Sequence, residues 1–231
     1  MKKGDLKKQE ILKTAESRFC KYGYEATSIQ DILDDLHTSK GSFYHHFTSK
    51  ESLLEAICKE RAESSRGEIL QAVSPDTDAV GILNALISGV IPFSGEKLSF
   101  LLMILPVFNG PEGIRLKAGY TAELSAIYLQ PVADTLKKGT GEGSFSCSDP
   151  IFDAGLALDI IHRYWLNICE KILRDHAEGS RTDASELLEL TEHYRTALER
   201  MLSAPYGSIS LIRLPELKSL VEQIHLHLQV S

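Results

Sequence analysis

Four cysteines, Cys20, Cys58, Cys147 and Cys169, are all this 231-residue sequence holds, with no paired spacing and no histidines at zinc-finger distances. They read as free thiols, which excludes a disulfide framework, and no metal site is expected. Long apolar runs are also missing. The longest, Phe100 to Phe108, is interrupted by Pro106 and falls far short of the ~20 residues a bilayer requires. No basic and apolar leader opens the sequence, so the expectation is a cytoplasmic protein with no membrane partner. Absent too are G-x-S-x-G, H-E-x-x-H, a P-loop and a dinucleotide fingerprint. No catalytic residue and no cofactor is therefore assigned, and the chain is not expected to be an enzyme. Gly139 to Ser144 is glycine-rich, but no strand precedes it and no Lys-Ser/Thr follows. It reads as a mobile loop rather than a phosphate cradle. Strand patterning is lacking throughout, which leaves an all-α chain.

What is present is enough apolar material for a full core, 43% of residues. The net charge of −7 is unevenly spread: residues 1–66 hold 12 Lys and Arg against 11 Asp and Glu, and the rest hold 13 against 21. Lys2, Lys3, Lys7 and Lys8 precede the first apolar helix positions. They either track a nucleic-acid backbone or belong to a frayed, solvated terminus.

The most informative stretch is Thr27 to Leu54. Thr27 and Gln30 stand at capping-box spacing, so a helix should begin near Ser28. Ile29, Ile32, Leu33 and Leu36 then fall at i, i+3, i+4 and i+7, one stripe that needs a partner. Leu12, Ala15, Phe19 and Tyr22, ahead of a helix-ending Gly23, supply it. His37 and Thr38 make a turn, His being a type that tolerates positive φ and Thr a capping residue. A second helix over 39–47 would turn Phe43 and Phe47 inward and Ser39, Lys40, Ser42, Tyr44, His45 and His46 outward. Lys and Tyr suit phosphate oxygens, Ser and His suit base edges, and Gly41 allows close approach of the backbone. Thr48 and Glu51 repeat the capping-box spacing and put Lys50 in the first turn of a third helix. A cation there opposes the helix dipole and points to a phosphate contact.

Gly23-Tyr24, Thr27-Ser28, Asp31-Ile32, Ser39 to Phe47 and Ser49-Lys50-Glu51 together resemble the tetracycline-repressor (TetR) family, over roughly residues 6–57. Lys-Gly-x-x-Tyr-x-x-Phe followed by Ser-Lys-Glu carries turn, recognition helix and phosphate lysine at once, which makes the likeness specific. His37 departs from the glycine usual at that position, and Thr38 stands where valine is usual. The resemblance implies an all-α homodimer with an N-terminal three-helix helix-turn-helix domain, joined to a larger helical domain that binds a small molecule and releases the DNA. The expected domains are 1–50 for DNA binding and 51–231 for effector binding and dimerisation. The expected DNA contacts are Thr27, Ser28, Thr38, Ser39, Lys40, Gly41, Ser42, Tyr44, His45, His46 and Lys50.

Beyond the head, a connecting helix should run from 49 to about 67, with a break at Ser74-Pro75-Asp76. Helices are expected over 77–91, stopped by Pro92, and over 97–108, 113–138, 150–176 and 183–204. The last two carry more apolar surface than one stripe requires. The resemblance makes them the dimer's four-helix bundle, a monomeric core being the alternative. A tail helix over 215–228 has Leu217, Leu220, Val221, Ile224 and Leu228 on one face, packing on its own domain or swapped onto a partner. Candidate effector walls are Phe93, Phe100, Met103, Phe108, Tyr120, Tyr128 and Trp165, with Glu123, His162, Asn109 and Asn167 as polar guides. An ordinary helical core asks for the same large residues. The expected function is that of a ligand-responsive repressor on a pseudopalindromic double-stranded operator. The alternatives are control by a protein partner and, less favoured, a helical enzyme.

Overall fold

The computed structural model describes residues 3–91, 93, 96–110 and 113–230. Lys2 and Pro92 lie outside them, and nothing is said of the side chains of Lys3 and Asn109. The described residues form ten helices and no strand: α1 (Lys3–Tyr22), α2 (Ile29–Asp35), α3 (Lys40–Tyr44), α4 (Lys50–Ala72), α5 (Ala79–Val90), α6 (Glu96–Asn109), α7 (Gly113–Glu142), α8 (Pro150–Ala177), α9 (Ala184–Leu202) and α10 (Leu214–Val230). They divide into two compact units, Met1–Arg61 with Ser99–Tyr120, and Ala62–Leu98 with Thr121–Ser231.

In the first unit the apolar stripe of α2, Ile32 and Leu33, is buried together with Ile11, Leu12, Ala15 and Phe19 of α1. Phe43, Phe47, Leu53, Leu54 and Ile57 complete this core. Gly23 ends α1 at φ +88 while its N–H bonds Phe19 O, the left-handed stop that its position asks for. Arg61 pairs with Glu16 and lies over the Phe100 ring, 4.8 Å from its centroid.

In the second unit α8 packs against α5, α9 and α10. Its buried face carries Leu158, Ile161, Tyr164, Trp165, Ile168 and Ile172. Helix α10 lies on α8 and α9 of its own chain, with Leu217, Leu220, Val221 and Ile224 buried. Burial of those four contributes roughly 6–10 kcal/mol before chain entropy, enough to keep a 17-residue helix docked. Its lead-in is pinned at two points. The Asn84 side chain donates to Ser208 O (2.8 Å) and accepts from Ser210 N (2.9 Å). Glu199 accepts from Ile209 N at 3.1 Å. The same carboxylate accepts from Arg195 Nη1 at 2.6 Å, in a pair that is itself buried.

The helix bounds depart from expectation at α4, which runs on to Ala72 rather than about 67, at α7 and at α3. Most of the stretch 139–144 is helix and only Gly143 and Ser144 turn out of it: α7 continues to Glu142, because Lys138 Nζ donates to Thr77 O (2.5 Å) and the Glu142 carboxylate accepts from Ala79 N (2.9 Å). Gly139 is required there by packing, since a Cβ would strike the Phe145 ring. The recognition helix is also shorter than 39–47, with regular turns ending at Tyr44.

Candidate nucleic-acid interface

Helix α2 is capped one residue later than capping-box spacing first indicates. Ser28 is the N-cap: its Oγ accepts from Asp31 N at 3.1 Å, and the Asp31 carboxylate accepts from Ser28 N at 2.8 Å. Thr27 is instead buried, its hydroxyl donating to Gly23 O at 2.9 Å. Thr27 therefore offers no side-chain contact to DNA and leaves the expected set. The same shift recurs at α4, where Ser49 and Ser52 exchange backbone-to-hydroxyl bonds of 3.0 and 3.1 Å in place of the Thr48 and Glu51 pairing.

The exposed acids of α2 would repel a phosphate backbone if left alone. Arg18 of α1 binds Asp35 through two bonds, 2.5 and 2.9 Å, and lies 4.0 Å from Asp31. Hydrogen bonding from Arg18 holds the Asp35 carboxyl below its ordinary range, and bonding to Ser28 does the same for Asp31. Gln30 Nε2 donates to Asp34 at 2.7 Å. Arg18 was missed in the sequence reading, although Asp31 and Asp35, one turn apart, already marked a face awaiting a cation.

The turn closes as a Schellman motif: Thr38 N donates to Leu33 O (3.0 Å) and His37 N to Asp34 O (3.2 Å) around a left-handed His37 at φ +46. Ser39 then caps α3 by accepting from Ser42 N at 3.3 Å. Phe43 points inward with no exposure. Ser39, Lys40, Gly41, Tyr44 and His45 are exposed, while Ser42, His46 and Thr38 are half-buried at the rim. Gly41 leaves open space above the backbone, the nearest atom to a Cβ being Ser39 Oγ at 3.8 Å. His46 stacks edgewise on His45 at 4.8 Å. Burial, then the charges of His45 and Lys8, push its pKa down, so near neutrality its ring both donates and accepts.

Lys50 does more than the sequence reading assigned it. Its ammonium donates to Tyr24 O (2.9 Å) and Thr27 O (3.1 Å) and sits 4.2 Å from the Tyr24 ring centre. It ties the start of α4 to the link between α1 and α2, and two of its three protons are committed there.

The residues expected around an effector fall into both units. Phe100, Met103, Phe108 and Tyr120 belong to the first, with the Phe108 and Tyr120 rings 6.0 Å apart. Phe93, Glu123, Tyr128, His162, Trp165 and Asn167 belong to the second. There Phe93 meets Tyr164 edgewise at 6.3 Å, and Asn167 Nδ2 donates to Tyr194 OH at 2.7 Å. Asn167 is thereby a tie between α8 and α9. His162 is buried, with Nδ1 3.5 Å from Ser125 Oγ and no protein partner at Nε2. Burial pushes its pKa from 6.5 down to about 4. The native state therefore resists a proton that the unfolded chain accepts. The stabilising contribution is complete above pH 6.5 and lost as pH falls towards 4, up to about 3 kcal/mol. His162→Gln should flatten that part of the curve, as read by urea unfolding at pH 7 and pH 4.5. An unchanged slope would show that His162 is not neutral and buried in solution.

Among the described residues no helix is long and apolar enough to cross a membrane, and no group of three or more His, Cys, Asp or Glu side chains is placed to hold a metal ion.

Comparison with known proteins agrees with this geometry. Residues 11–57 match the model for bacterial regulatory proteins of the tetR family. The HTH-type transcriptional repressor KstR2 of Rhodococcus jostii is 33% identical over 143 residues, 60% of this chain and 68% of that protein. The HTH-type regulator YerO of Bacillus subtilis is 49% identical over 53 residues, 23% of this chain and 18% of that protein. In fold, the chain resembles GusR of Salmonella enterica with a TM-score of 0.53 at 19% identity, covering 88% of this chain and 99% of that one.

Proposed function

This chain belongs to the tetR family of DNA-binding transcriptional regulators, and from that premise we propose that it is a ligand-responsive repressor acting as a homodimer on a pseudopalindromic operator. The observation that carries the reading is the exposed face of α3, Ser39, Lys40, Gly41, Tyr44 and His45, held over a fully buried Phe43. Two such helices enter successive major grooves about 34–36 Å apart. Lys40 and Tyr44 anchor phosphates, with Lys50 adding its remaining proton. Ser39, Ser42, His45 and Thr38 read base edges, with Ser28 and His46 at the margins.

Dimerisation through 150–176 and 183–204 is supported by what α10 leaves uncovered. Ile151, Phe152 and Leu156 at the start of α8 are 46%, 64% and 39% exposed. Three neighbouring apolar side chains in water favour a partner surface. We assign DNA binding to residues 1–50 and effector binding with dimerisation to 51–231. An effector that binds better to a differently spaced dimer then lowers operator affinity by population shift.

The test is operator binding as a function of salt. Lys40→Ala should weaken binding to every sequence roughly 10-fold or more at 0.1–0.2 M salt and reduce the salt slope by about 2 per dimer. A variant with wild-type affinity and slope would remove α3 from the phosphate backbone.

A further inference from the structure

Two histidines meet where the end of α8 and the last turns of α10 close on the segment 178–183 between α8 and α9. The His176 and His225 ring centroids lie 5.8 Å apart. His225 Nε2 accepts from Thr182 N at 3.4 Å, and Thr182 is buried. A backbone N–H can only donate, so the ring nitrogen that meets it carries no proton, and His225 is neutral with its proton on Nδ1. A proton arriving at Nε2 would break that bond and strand the amide of a buried residue. The groups facing the ring are His176 and Asp175 of α8 and Arg181 of the segment. Asp175 is already paired with Lys171 at 3.2 Å, and Lys171 also holds Glu186 of α9 at 2.7 Å. Asp183, next to Thr182, caps α9 through Ser185 N. Within α10, Glu222 pairs with Arg181 at 3.8 Å. Each of these carboxylates thus has a partner other than His225. Burial, then His176 and Arg181, push the His225 pKa below 6.5 despite Asp175.

We propose that His225 is a pH-sensitive latch: neutral, it holds the last turns of α10 on the segment between α8 and α9, and on taking a proton it releases them. Leu217, Leu220 and Val221 are buried further back and keep the rest of α10 docked, so the opening is local. Once released, His225 returns to its ordinary value. Closure is therefore complete above pH 6.5 and is lost as the pH falls through the lowered value. The latch lies wholly within the second unit and needs neither operator nor effector, so it stands independently of ligand-responsive repression.

The experiment is hydrogen–deuterium exchange of the full-length protein at pH 7.5, 6.5 and 5.5, corrected for the chemical pH dependence of exchange. That range stays above the value of about 4 to which His162 is lowered. Protection in peptides spanning Thr182 and 222–228 should fall about threefold or more from pH 7.5 to pH 5.5, with the middle of α8 and of α9 unchanged. His225→Gln keeps an acceptor in reach but takes up no proton, and its protection should stay constant across the range. Titration followed by NMR should place the His225 midpoint below 6.5, and His176→Gln should raise it. Wild-type protection that ignores pH, or an equal loss throughout α8 and α9, would overturn the latch. So would a His225→Gln variant that loosens on acidification as wild type does, or a His225 midpoint that lies at or above 6.5 or is unmoved by His176→Gln.

Discussion

Truncating Phe43 to alanine is expected to abolish operator binding while leaving most helix signal in place. Phe43 is fully buried, with its ring centroid 5.7 Å from that of Phe47 and 5.3 Å from that of Tyr44. Emptying such a site costs about 3–5 kcal/mol. The five residues of α3 cannot sustain a helix without that anchor, so Lys40, Tyr44 and His45 lose their common face. A fall of at least ~100-fold in affinity follows from a loss of about 3 kcal/mol. The second unit has its own buried core around Trp165 and Leu158. Ellipticity at 222 nm should therefore drop only slightly. If Phe43→Ala bound the operator within threefold of wild type, α3 would not be the reading element.

Glu199→Ala should be the most damaging single change in the second unit. Glu199 is 3% exposed and serves both Arg195 and the Ile209 N–H. Its removal leaves a buried guanidinium with only part of its compensation, from Glu192 and Tyr206, and strands a buried backbone donor. Breaking a buried pair costs about 3–5 kcal/mol; with Glu192 retained, the lower end is expected. That is a fall in melting temperature of roughly 6–12 °C for a chain of this size. Burial pushes the Glu199 carboxyl up, but bonds from the Ile209 and Gly207 backbone and from Arg195 outweigh it and hold it below 4.5. Its contribution is complete above pH 4.5 and fades as the pH drops through the lowered value. Wild type and Glu199→Ala should converge in stability in that acid range. A constant gap from pH 7 to pH 3 would show that the pair is not ionised.

Periodicity made much of this fold legible, and tertiary partners decided the rest. The stripe of α2 was readable because one face is apolar and the opposite face is not, and that of α1 through Leu12, Ala15 and Phe19, although Tyr22, expected on the same stripe, is exposed. Thr27 and Ser28 are adjacent and chemically equal as caps. The choice fell to Ser28 once the Thr27 hydroxyl had Gly23 O to bond. Gly143 does end α7, at φ +77, but Gly139 and Gly141 also spoke for a loop, each costing a helix about 1 kcal/mol. Lys138 and Glu142 override them through Thr77 and Ala79, more than sixty positions away. In the reading head, residue types and order were visible, but what holds them was not. Lys50 meets Tyr24 O across 26 positions, a contact that no local pattern announces. The candidate effector residues were the least legible, because a core and a pocket ask for the same aromatics.

The pinning of the segment between α9 and α10 makes it its own reporter. The Ile209 and Ser210 amides are held by the side chains of Glu199 and Asn84 rather than by any helix. Their deuterium uptake therefore clocks the opening of this one connection, undisturbed by fraying of the helices on either side. Two adjacent amides, each answering to a different helix, separate a loosening of α5 from a loosening of α9 within a single peptide.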